Sequence, residues 1–186
     1  MGSKEICIHR LNQARIAHTQ WVGNVKLLAS GLLKKKSDME LNASKITFGK
    51  WFYEDAMLFR DTNCNSVICE IEMLWEEIHQ QFMHIYEVCV SNQKKNIFGL
   101  EKPLSTSDKQ LSSRYYEDLT GLSDAMKKSL RLFEKQLNAK AEGEFGLYES
   151  YLEAEKSDKS IEKEVDKKKE DEHKGVSGAR GAYFTN

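Results

Sequence analysis

Apolar residues return along this chain at steps of three and four, the spacing that lines up one face of an α-helix. Leu11, Ala14, His18, Trp21, Val25, Leu28 and Leu32 form the first such stripe and predict a helix from about Glu5 to Lys34. His18 lies inside the stripe, not on its polar border. Lys34-Lys35-Lys36 then falls where a helix C-terminus favours positive charge. Ser37 to Ser44 reads as a connector, with Asn42 or Ser44 able to cap a second helix that runs to about Arg60. Asp61-Thr62-Asn63-Cys64-Asn65-Ser66 is turn chemistry. A third helix is expected from near Ser66 to about Asn92, on the stripe Ile68, Ile71, Trp75, Ile78, Phe82, Ile85 and Cys89, with His79 beside it. Ser91 to Ser107 reads as a link. Ser107 or Asp108 then opens a fourth helix whose stripe, Tyr115, Leu119, Leu122, Met126, Leu130, Phe133 and Leu137, fades after Ala139.

Four such stripes must be buried against one another, and antiparallel packing is the simplest solution. The expected fold is therefore all-α, an antiparallel four-helix bundle over residues 1–145. Proline breaks helices, and the chain has only one in its 186 residues, Pro103, placed in the link. Residues 146–186 read as a charged, low-complexity tail. Between Glu153 and Lys174, 16 of 22 residues are charged, leaving too few apolar groups to offset the ordering entropy, so disorder is expected there.

The net charge of -1 gives no basic face for nucleic acid. No apolar run reaches the length of about 18 residues that spans a bilayer. Met1-Gly2-Ser3 reads as an expression remnant, and Ile6 stands where a myristoylation pattern needs Ser or Thr. Cys7, Cys64, Cys69 and Cys89 are irregularly spaced and are expected to be reduced, in a cytoplasmic protein.

Candidate chemistry is sparse. There is no glycine-rich phosphate loop, nucleophile elbow or identifiable carboxylate pair, so catalysis is not expected. Glu76 and His79 make one Glu-x-x-His, but a di-iron bundle needs two copies and two further glutamates. A histidine on an apolar stripe is usually a hydrogen-bonded core group, and Trp21, Trp51 and Trp75 are most simply core anchors.

Three features nevertheless follow one another in order: His18-Thr19-Gln20-Trp21, then Phe48-Gly49-Lys50-Trp51, then His79. Over roughly Ile6 to Cys89 the chain resembles the chemoreceptor zinc-binding (CZB) domain, a helical bundle of bacterial chemoreceptors and diguanylate cyclases. That family pairs a His-x-x-Trp with a Cys-x-Phe-Gly-x-Trp and a later His-x-x-x-His, whose three His and one Cys bind zinc. Matched residue by residue, His18 takes the first ligand position and Trp21 the family Trp. Phe48, Gly49 and Trp51 match the second motif, and His79 falls near the third ligand. Ile46 stands at the Cys position, and Met83 stands where the last His belongs. His84, one residue further, points to another face. The resemblance implies zinc as cofactor with His18, His79 and His84 as candidate ligands. It also implies a non-catalytic sensory bundle of the bacterial chemotaxis or signal-transduction type, acting through a protein partner or as a homodimer. The alternative, from another class, is a metal-free structural or adaptor bundle in which Ile46 fills the former ligand position with hydrocarbon.

Overall fold

The computed structural model describes residues 2–33, 39–91 and 103–157. Among them every regular element is helical: α1 is Ser3–Ala29, α2 Thr47–Glu54, α3 Asn65–Tyr86 and α4 Thr106–Ala139. Short 3₁₀ turns follow α2, at Ala56–Phe59, and α4, at Glu142–Phe145. The last turn of α3 widens to π geometry over Glu87–Ser91. A further helix, α5, occupies 146–157.

The chain divides into two compact units, Met1–Glu144 and Phe145–Asn186. In the first, α3 and α4 share the largest interface, α1 packs along α4, and α2 lies against α1. The α1–α4 pairing is antiparallel. Lys4 donates to the carbonyls of Asn138 and Lys140, His18 meets Ser123, and Ser112 Oγ donates to the Ala29 carbonyl. Lys4 thereby satisfies carbonyls at the α4 C-terminus that have no partner within the helix.

The α3 stripe is buried along its whole length, from Ile68 to Cys89. On α1, Leu11, Ala14, His18, Val25 and Leu28 are buried, while Leu32 is exposed. The difference arises because α1 stops earlier than its periodicity suggests. Gly31 takes φ 72°, and the amides of Gly31 and Leu32 bond back to the carbonyls of Leu28 and Leu27. That paired pattern is a Schellman motif, which glycine makes inexpensive because it has no Cβ to clash at positive φ. Leu32 therefore lies outside the helix. The expected charge on Lys34-Lys35-Lys36 and the end of the third helix at Asn92 lie outside the described residues.

Helix starts also differ by small amounts. Neither Asn42 nor Ser44 caps α2; Asn42 Oδ1 instead accepts from the backbone N–H and hydroxyl of Ser44, closing a turn before Ile46, the N-cap position. The second helix breaks at Asp55 into a 3₁₀ turn instead of running on to Arg60. Ser105, not Ser107 or Asp108, caps α4, its hydroxyl accepting from the Asp108 amide at 3.1 Å.

The second unit departs from the expected tail. Residues 146–157 are helical, and Tyr148, Tyr151 and Leu152 sit three and four apart on that helix, with the two tyrosine rings 6.0 Å apart. The polar stretch from Ala141 to Glu144 interrupts the apolar pattern after Ala139, so periodicity alone leaves this second, shorter stripe in the tail. The rest of the expected tail, 158–186, lies outside the described residues.

Candidate functional site

The residues that carried the motif meet where α1, α2 and α3 converge. His18, fully buried, projects from α1 toward α4, and its Nε2 lies 3.0 Å from Ser123 Oγ. Its other neighbours are rings: Phe48 at 5.1 Å, Trp75 at 6.2 Å and Trp21 at 6.5 Å between centroids. Phe48 and Trp75 are 4.8 Å apart, and Trp21 packs edge-on against both Trp75 and Phe82. Such tilted and edge-to-face arrangements are those that aromatic quadrupoles favour.

Gly49 explains how α2 enters this cluster. A Cβ at that position would collide with the Ala43 carbonyl oxygen and come within 3.1 Å of Trp75 Nε1. The chain therefore needs a bare Cα here for the α1–α2 connector to cross directly over α2. Phe48 and Phe52, on the same short helix, are buried completely. The glycine of the aromatic-Gly-Lys-Trp string is thus a packing residue, fixed by the close approach of backbone.

The burial of His18 has an electrostatic consequence. Desolvation, helped by the positive charge of Lys127, pushes its pKa down to about 4, so the ring is neutral at pH 7. A neutral imidazole has one N–H and one lone pair. Whichever role Nε2 takes with Ser123, Nδ1 has no hydrogen-bond partner among the described residues.

The other candidate ligands sit elsewhere. His79 Nε2 is 2.8 Å from the Leu41 carbonyl, to which it donates, tying α3 to the connector before α2. Its ring also touches Trp75 and Phe82, at 6.4 and 5.8 Å. His84 is exposed and stacks on Tyr115 of α4 at 4.9 Å and 23°. Met83 lies at the surface of α3, and Ile46 is buried, 5% exposed, just before α2. His18 and His79 thus share Trp75 as a neighbour, whereas His84 belongs to the α3–α4 face. Among the described residues, no three His, Cys, Asp or Glu side chains group in a way that could hold a metal ion. A tetrahedral zinc centre takes four N, S or O ligands. The residues at the four motif positions do not supply that set. Ile46 brings only hydrocarbon, and the ring nitrogens His18 Nε2 and His79 Nε2 are engaged by protein oxygens.

The cysteines do not complete a set either. Cys7 and Cys64 are buried, and burial together with the nearby Asp55 carboxylate pushes the Cys7 thiol up to about 12. Cys69 is half-buried, its sulfur 3.6 Å from Asn65 Oδ1. The residue that sequence reasoning missed is Ser123. Its signal was present, since Ser123 stands four residues after Leu119 and three before Met126, a hydroxyl on a core-facing stripe.

None of the described helices is long and apolar enough to cross a membrane. Comparison with protein-family models, curated proteins and solved structures returns no match for the chain.

Proposed function

We propose that this chain is a non-catalytic regulatory bundle that works by binding another protein or a second copy of itself, and that it needs no metal to keep its shape. The reading takes α1 to α4 as an antiparallel four-helix frame resembling the CZB domain, with the metal position closed by packing. The observation that carries it is the environment of His18. The imidazole at the first ligand position is neutral, bonded to Ser123, and walled by Phe48, Trp21 and Trp75. Ile46 buries hydrocarbon at the position of the family's cysteine. Exchanging a buried polar cluster for packed apolar groups preserves or raises stability in many proteins, so such a frame outlives the loss of its metal.

One observation favours the sensory reading with zinc: His18 Nδ1 is buried and has no partner among the described residues. A metal there would use that nitrogen with His79 and a donor brought in by rearrangement. The two readings separate by metal content. Protein purified without a metal-affinity step, and analysed by inductively coupled plasma mass spectrometry beside His18→Ala and His79→Ala, is expected to carry no stoichiometric zinc. Near-equimolar zinc in the wild type, lost in both variants, overturns the metal-free reading and restores the sensory one.

A further inference from the structure

On the seam between α1 and α4 opens a cleft of about 590 Å³, which borders the aromatic cluster at His18. This is the size range of small-molecule sites, which combine an apolar lining with a few convergent polar groups. Ile16 and the methylene stems of Arg15 and Lys127 supply the exposed aliphatic surface, fully buried Leu130 lies beneath it, and Arg15, Lys127 and Arg131 supply three cations. No acidic side chain lines it among the described residues.

The cations are unequally compensated. Arg15 pairs with Glu134 at 2.6 Å and Lys127 with Asp124 at 2.9 Å. Arg131, exposed on α4, makes no ion pair among the described residues. Ile16 is 52% exposed although it adjoins this concave surface. His18, whose Nδ1 has no partner among the described residues, belongs to the same wall. Cations converging on a concave apolar surface favour an anion that brings its own hydrocarbon. A free inorganic anion leaves Ile16 in water, and a neutral apolar molecule leaves Arg131 without a counter-charge.

We propose that the α1–α4 cleft is a binding site for a small aliphatic monocarboxylate, with the carboxylate at Arg131 and Lys127 and the chain over Ile16 and the side-chain stems beside it. The assignment meets the metal question only at His18, since none of the other candidate zinc positions borders the cleft.

The test is a titration of the ¹⁵N-labelled full chain with hexanoate, hexan-1-ol and inorganic phosphate, followed by amide shifts. Hexanoate is expected to give saturable shifts confined to Ile16, Thr19, Lys127 and Arg131 and their neighbours. Hexan-1-ol and phosphate bind at least about fivefold more weakly, because each lacks one half of the recognition. Arg131→Gln weakens hexanoate by roughly fivefold, the size of one partly exposed cation–carboxylate contact. Lys135→Gln, a cation outside the cleft, leaves it unchanged. The proposal is overturned by equal binding of hexanoate and hexan-1-ol, by phosphate binding as tightly as hexanoate, by shifts scattered over the surface, or by an Arg131→Gln protein that binds hexanoate like the wild type.

Discussion

Replacing His18 with glutamine should remove a pH dependence of stability that the wild-type fold carries. In the unfolded chain the imidazole titrates near 6.5; in the fold, burial and Lys127 hold it down to about 4. The neutral form is the one that folds, so the penalty is absent above pH 6.5 and grows as the pH falls toward 4, where unfolding takes up a proton that the native state refuses. At pH 5 the separation of the two values amounts to about 2 kcal/mol, at roughly 1.36 kcal/mol for each pH unit, and it approaches about 3 kcal/mol at pH 4. A glutamine amide keeps a polar end near Ser123 but has no proton to take up. The assay is urea denaturation of both proteins at about pH 7.5 and pH 5, with a chelator present in every sample. The wild type is expected to lose about 2 kcal/mol more than His18→Gln between the two conditions. Parallel losses, differing by less than about 0.5 kcal/mol, would mean that His18 is not closed into the core, because its ring then protonates as freely in the fold as in water.

Other substitutions test the remaining joints. Gly49→Ala drives a methyl into the Ala43 carbonyl and toward Trp75, and is expected to cost about 3 kcal/mol or more in thermal or urea unfolding. Ser123→Ala leaves both His18 nitrogens unpartnered in the core; a loss of about 1–3 kcal/mol is expected, with Ser123→Thr milder because it keeps the hydroxyl. Gly31→Ala places a Cβ at φ 72° and should cost about 1 kcal/mol, while Ser30→Ala, next to it, costs less. In native protein, iodoacetamide followed by peptide mass mapping is expected to label Cys69 first, because Cys7, Cys64 and Cys89 are buried and the Cys7 thiol resists ionisation.

The helical architecture was readable because the stripes on α3 and α4 are long and bury nearly as written. Ile68 to Cys89 runs unbroken and Leu119 to Leu137 is interrupted only at half-buried Leu122, and a spacing of three and four sustained over five turns fits a helix face and no strand. What escaped was punctuation and pairing. Gly31 ends α1 through a pair of backbone bonds that periodicity does not encode, and Ser105 rather than Ser107 wins the cap because its hydroxyl reaches the Asp108 amide. The helix of the second unit escaped because its stripe is short, only Tyr148, Tyr151 and Leu152, and lies beyond a polar interruption. At the candidate site, the motif residues His18, Trp21, Phe48, Gly49 and Trp51 did identify a real packing centre. The sequence could place them on faces but could not show that His18 turns its Nε2 to α4, nor that His79 spends its Nε2 on Leu41. Those bonds join residues 105 and 38 positions apart, and such partners are set by helix packing, not by local pattern.

In the metal-free reading, His18 closes the core as a neutral, hydrogen-bonded ring. A long-range ¹H–¹⁵N spectrum of the imidazole nitrogens at about pH 6, recorded before and after one equivalent of zinc, tests it most directly. The expected result is a single neutral tautomer for His18 whose nitrogen shifts do not move on adding zinc. A His18 nitrogen that moves to the metal-bound range at equimolar zinc, with His79 moving alongside it, would contradict the claim.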